Sequence, residues 1–169
     1  TAGELAALDS MKQVDVAEIS PGVLEAAPLF DFANLNASRN PKIRVIQSDA
    51  YRALMRSGTR YDVIISEPSN PWVTGVEMLF SQEFLSAARD RLTEGGVYAQ
   101  WFHLYETDDE TVALVLRTYA QVFQHVAVWS AGPGDLLLLG LKEAGSATDH
   151  FRLEERASRR DFAQSLERM

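Results

Sequence analysis

Cysteine is absent from the 169-residue sequence. That excludes disulfides, thiolate metal ligands and a cysteine nucleophile. It leaves the compartment open. Long apolar runs are also lacking: Val63-Ile64-Ile65 and Leu136–Leu139 are far too short to span a bilayer. No signal peptide pattern is read in these residues, and no membrane contact is expected from this segment. Positive charge is scarce, with 16 Lys and Arg against 24 Asp and Glu and a net charge of −8. A surface that coats nucleic acid needs basic density, so that partner is not expected. An acidic balance is compatible with a cationic substrate. Histidine is limited to three residues, and His125 and His150 have no ligand spacing, so no metal is expected. Ser69 lacks a G-x-S-x-G context and a paired His, which excludes a hydrolase triad.

What remains is a folding composition. Hydrophobic residues make up 46% and charged residues 24%, enough for one domain of ordinary size with a real core. There are no internal repeats and no low-complexity tracts. Residue 1 is Thr and the chain opens directly into a helical pattern, so a segment upstream of Thr1 is expected.

Strand-like and helix-like segments alternate. Thr1–Leu8 reads as a short helix and Val14–Glu18 as a strand. Ser20-Pro21 supplies an N-cap and a first-turn proline for the next helix. Phe30–Lys42 is loop-like. Ile43–Gln47 is a strand, Ala50–Arg56 a helix, and Tyr61–Ser66 a buried strand. Glu67–Gly75 is a Pro-rich loop. Ser81–Leu92 is a helix that the Gly95-Gly96 pair stops, followed by a strand over Val97–Trp101. Thr107-Asp108-Asp109-Glu110 reads as a capping box. It opens a helix with an apolar stripe of Val112, Val115, Leu116, Tyr119, Val122 and Phe123. His125–Ser130 and Leu136–Leu141, joined by Gly132-Pro133-Gly134-Asp135, form an antiparallel hairpin. Residues 143–169 are rich in Arg and acids and read as a charged, partly helical tail outside a domain over 1–142. The alternation implies an α/β fold with a mostly parallel sheet and a C-terminal antiparallel hairpin.

Ligands on open α/β sheets collect at the carboxyl ends of strands. Glu18, Asp49 and Glu67 follow the first three strands, and Gln100, Trp101, His103 and Tyr105 follow the fourth. A carboxylate at the first strand end can accept two hydrogen bonds from a ribose diol. Each residue also has a plainer role. Asp49 is a preferred N-cap for the helix at Ala50, Asn70-Pro71 is ordinary turn chemistry, and Trp72 and Trp101 suit a wall or core. His103 and Tyr105 suit the lining of an acceptor pocket.

The segments Val14–Ser20 (VDVAEIS), Ser48-Asp49-Ala50, Tyr61–Trp72 (YDVIISEPSNPW) and Gly95–Gln100 (GGVYAQ), in this order and spacing, resemble the spermidine synthase (polyamine aminopropyltransferase) family. The resemblance runs through about residues 1–141. It implies the Rossmann-like class I S-adenosylmethionine methyltransferase fold, decarboxylated S-adenosylmethionine as donor, and a diamine such as putrescine as acceptor. It further implies a cytoplasmic homodimer. By position, Glu18 would hold the ribose hydroxyls, and Asp49 with Ala50 the adenine. Glu67 would be the base for the attacking amine. Asn70, Gln100 and Tyr105 would lie near the substrate.

Two departures from the family pattern bear on this. Its Asp-x-x-Asp reads Glu67-x-x-Asn70 here, which adds a methylene and removes a charge. The family's first strand and glycine-rich loop would precede Thr1. The chain as it stands is therefore expected to bind adenosyl cofactors poorly. Its Val14–Glu18 and Tyr61–Ser66 strands are expected to close on each other or to pair with a second chain. The alternatives are a methyltransferase using S-adenosylmethionine on a small amine, and a non-catalytic domain of the same fold.

Overall fold

The computed structural model describes residues 1–68, 73–143 and 150–168. They divide into two compact units, residues 1–53 with 149–169, and residues 54–148.

The first unit holds helix α1 (Ala2–Ala7), strand β1 (Val14–Glu18), helix α2 (Pro21–Ala26), strand β2 (Ile43–Gln47) and the start of helix α3 (Ala50–Arg56). β1 and β2 pair in parallel from Val14↔Ile43 to Glu18↔Gln47. Parallel neighbours need a crossover, and α2 provides it. The Ser20 hydroxyl accepts from Val23 N at 3.4 Å and Pro21 occupies the first turn, as the sequence implies. The loop-like stretch that follows contains two 3-10 turns, Ala27–Phe30 and Ala37–Arg39. Buried Asp31 holds it, accepting from the Ser38 amide at 3.1 Å and from its hydroxyl at 2.6 Å. Those bonds lower its carboxyl pKa. Gly3 is packed so closely that an added Cβ would run into the Asn34 carbonyl.

Residues past 149 supply helices α6 (His150–Ala157) and α7 (Arg160–Glu167) to this same unit. α7 is tied to α1. Arg168 grips the Glu4 carboxylate with two bonds of 3.2 and 2.7 Å, and the Ser165 hydroxyl donates to it at 2.6 Å.

The second unit is a four-stranded sheet in the order β3-β4-β6-β5. It consists of β3 (Tyr61–Ser66), β4 (Leu92–His103), β5 (His125–Gly132) and β6 (Asp135–Leu141), with helices α4 (Gln82–Asp90) and α5 (Asp109–Val122). β3 and β4 are parallel, and β6 lies antiparallel between β4 and β5. Tyr98, Gln100, Phe102 and Leu138 share one buried face of the sheet. α4 and α5 cover it with Phe84, Leu85, Tyr119 and Phe123, among others. Tyr98 stacks on Phe123 with centroids 5.8 Å apart. Gly140, paired with Tyr98, leaves room for that ring, since any Cβ there would enter it.

Three local expectations change. β4 begins at Leu92, not Val97. Leu92 pairs with Tyr61, and the register then jumps to Val63↔Val97. The Gly95-Gly96 pair, with Gly95 at φ +72°, therefore builds a bulge inside the strand, while α4 ends earlier, at Asp90. The cap of α5 is Asp108, whose side chain accepts from Thr111 N at 2.7 Å. The Thr107 hydroxyl instead donates to the carbonyls of His103 and Tyr105. Finally, of the two outcomes expected for β1 and β3, pairing with one another is not seen among the described residues, where the two strands belong to separate sheets.

Candidate functional site

In the first unit, two carboxylates stand at neighbouring strand ends. Glu18 closes β1, and its carbonyl accepts from Ser48 N at 3.0 Å. Its carboxylate Oε1 accepts from Ser20 N at 2.7 Å. That bond fixes the side chain at the strand end, and among the described residues Oε2 has no hydrogen-bond partner. Asp49 begins two residues past Gln47, the register partner of Glu18. Its Oδ1 caps α3 by accepting from Arg52 N at 3.0 Å, and Oδ2 is unengaged among the described residues. Both carboxylates are thus held by one oxygen with the other open. This donor-free, acceptor-rich pair suits a ribose diol beside an exocyclic amine. Ala50 starts α3 next to Asp49 and brings no bulk to the pair.

The second unit carries the other candidates. Glu67 follows β3 directly and is exposed. Asn70 lies outside the described residues. Gln100, paired with Ser66 across β3 and β4, is fully buried. Its Oε1 accepts from the Tyr119 hydroxyl at 2.6 Å. Its Nε2 faces the Leu79 carbonyl at 3.2 Å and the Ser66 hydroxyl at 3.4 Å. The amide is therefore spent on internal partners. Tyr98 lies beside it; its buried hydroxyl makes no hydrogen bond of good geometry, although Ser66 and Tyr119 adjoin it. Burial pushes both phenols well above the ordinary tyrosine range, so Tyr119 remains a protonated donor.

Beyond Gln100, β4 ends in an aromatic ladder. Tyr105, half exposed, stacks on buried His103 at 3.9 Å, and Trp101 approaches His103 at 5.1 Å. The Trp101 indole donates to Asp135 at 3.1 Å, and Leu104 N donates to Gly134 O at 2.7 Å. The hairpin turn thus braces the end of β4. Glu67, Gln100 and Tyr105 accordingly belong to one unit, and Glu18, Asp49 and Ala50 to the other.

Tyr119 and Asp135 are the participants that periodicity conceals. In the sequence Tyr119 is one member of an apolar stripe. The available signal is that a tyrosine buried in such a stripe needs a partner for its hydroxyl. Asp135 reads as turn chemistry, and nothing in its spacing points to Trp101.

The fold is that of the class I methyltransferase-like proteins. It resembles spermidine synthase from Thermotoga maritima (19% identity, TM-score 0.67), the match covering 85% of this chain and 52% of that one. It equally resembles human methyltransferase-like protein 13, solved in complex with SAH (21% identity, TM-score 0.69; 92% and 71% covered). Within that class, the model of the spermine/spermidine synthase domain matches residues 1–132, and the chain belongs to this family. A polyamine aminopropyltransferase of Thermococcus kodakarensis is 33% identical over 96 residues, which take in 53% of this chain and 33% of that enzyme. Another, from Streptomyces coelicolor, is 34% identical over 90 residues, or 16% of its length. The chain thus spans less than half the length of the curated relatives it matches.

Proposed function

We propose that this chain carries the site of a spermidine synthase-like aminopropyltransferase, which uses decarboxylated S-adenosylmethionine as donor and a diamine such as putrescine as acceptor. The single observation behind this reading is family membership combined with carboxylates at three successive strand ends: Glu18, Asp49 and Glu67. When bound, the donor supplies an aminopropyl carbon activated by a sulfonium. Glu18 accepts from the ribose hydroxyls through its open oxygen, and Asp49, beside Ala50, accepts from the adenine amine. Glu67 orients the acceptor amine and takes its proton. The nitrogen forms a bond to the aminopropyl carbon as the carbon–sulfur bond breaks. The electron pair leaves on sulfur, giving neutral methylthioadenosine. Since the leaving group loses its charge, positioning and removal of water carry most of the catalysis. Tyr105 lines the acceptor side, with Gln100 behind it, and Asn70 is given a substrate contact by its place in the family pattern alone. No metal takes part.

A cytoplasmic homodimer belongs to the same proposal. The dimer is supported by one feature: among the described residues β1 and β3 are each paired with one neighbouring strand, and the other edge of such a strand is a template for further pairing.

Methyl transfer from S-adenosylmethionine is the second reading. It is favoured by one feature, the loss of the second carboxylate at Asn70, which weakens recognition of a double cation. Calorimetric titration with the two donors separates the readings. The proposal expects the decarboxylated donor to bind more tightly than S-adenosylmethionine. The opposite order favours methyl transfer.

A further inference from the structure

We propose that Tyr119, acting through Gln100, is a positioning residue that fixes the segment bearing Glu67. The role of Glu67 as base, on which this rests, is that of the reading above.

Ser66 is the last residue of β3 and Leu79 lies in the 3-10 turn Glu77–Phe80, and one side chain reaches both. The Gln100 amide reaches Ser66 Oγ at 3.4 Å and Leu79 O at 3.2 Å. Ser66 immediately precedes Glu67, so a shift at that contact is passed directly to the carboxylate. An amide can turn over and exchange its oxygen and nitrogen ends. The Leu79 carbonyl prevents this, because it can only accept and so draws Nε2 towards itself. Oε1 is then left to the Tyr119 hydroxyl, which donates to it at 2.6 Å and anchors the side chain on α5. Tyr119 has no freedom of its own. It is wholly buried, inclined against Tyr98 at 6.1 Å and against Phe123 at 5.7 Å. The Leu79 side is braced independently, since Phe80 packs edge-on against Phe102 at 5.8 Å. Ser66 and Leu79 are therefore both referenced to α5, a helix that contributes no group to the chemistry proposed above.

Tyr119→Phe removes only the hydroxyl, and Ser66→Ala tests the same clamp from its other end should the first variant fold poorly. Two readouts are needed on the protein that carries this chain. In hydrogen exchange, Tyr119→Phe is expected to raise rates at Ser66 and Glu67 and at 77–80 by about tenfold, with β5 unchanged. In aminopropyl transfer it is expected to lower kcat by about tenfold in the parent but less than about twofold in a Glu67→Gln background, with KM for the donor unchanged. Exchange that is unaltered, or raised evenly across the unit, overturns the clamp. An equal loss of kcat in both backgrounds overturns the positioning role alone. Full turnover by Glu67→Gln itself overturns the reading of Glu67, and the positioning role with it.

Discussion

Glu18 shows how a carboxylate is prepared by its backbone surroundings. The Ser20 amide takes one oxygen at 2.7 Å, so the side chain has little rotamer entropy left to lose when a ligand arrives. A hydrogen bond to a charged acceptor is worth about 1.5–3 kcal/mol. Glu18→Ala should therefore weaken methylthioadenosine binding by about 1–3 kcal/mol, read by calorimetry against the parent. Equal affinity would leave Glu18 as a cap of the α2 entry and nothing more. Both Glu18 and Asp49 are legible in the sequence because strand bounds fix where a strand ends. Gln100 is less so. The GGVYAQ segment suggests that Gln100 closes a strand, but β4 runs on to His103, so Gln100, Trp101 and His103 lie within it, and the inward amide depends on a helix whose docking no local pattern encodes.

Among the elements, β1, β2, α3 and β3 fall at the residues the pattern assigns, because Ser20-Pro21, Asp49 and the flanking polar turns leave no room for longer ones. β4 does not. A glycine pair reads as a stop, yet here it absorbs a register jump, and only the pairing of Leu92 with Tyr61 reveals that the strand has already begun. The α5 cap moves by one residue for a similar reason. Thr107 is drawn to the carbonyls of His103 and Tyr105, leaving Asp108 to cap. Docking of α7 is likewise invisible to periodicity, since it depends on Glu4 meeting Arg168. The Arg168 and Ser165 hydrogen bonds hold the Glu4 carboxyl down from 4.5 to about 2. A lowered carboxyl pKa stabilises the fold fully above the unfolded value and loses that effect as pH falls through the folded one. The α1–α7 contact should therefore weaken between about pH 4.5 and about 2. The side-chain carboxyl carbon of Glu4, followed by NMR, should titrate near the lower limit and move back towards the upper one in Arg168→Ala. A parent midpoint at the ordinary glutamate value would contradict the contact.

For the whole molecule, alternation of strands and helices with a terminal hairpin is enough to define the class of fold, and the ordered segments from VDVAEIS to GGVYAQ define the family. The division of the strands into a two-stranded and a four-stranded sheet is a matter of pairing partners, which a strand's own residues do not specify. The chemistry assigned to this frame depends above all on Glu67. General-base assistance is worth about 10²–10⁴-fold, and Glu67→Gln keeps the shape while removing the base. The decisive measurement is product formation from decarboxylated S-adenosylmethionine and putrescine by the protein carrying this chain, in parent and Glu67→Gln forms. The account predicts a triamine and methylthioadenosine in equal amounts from the parent, and turnover lower by about 10²–10⁴-fold in the variant. Near-parental turnover in the variant, or a parent that yields only a methylated amine from S-adenosylmethionine, would contradict it.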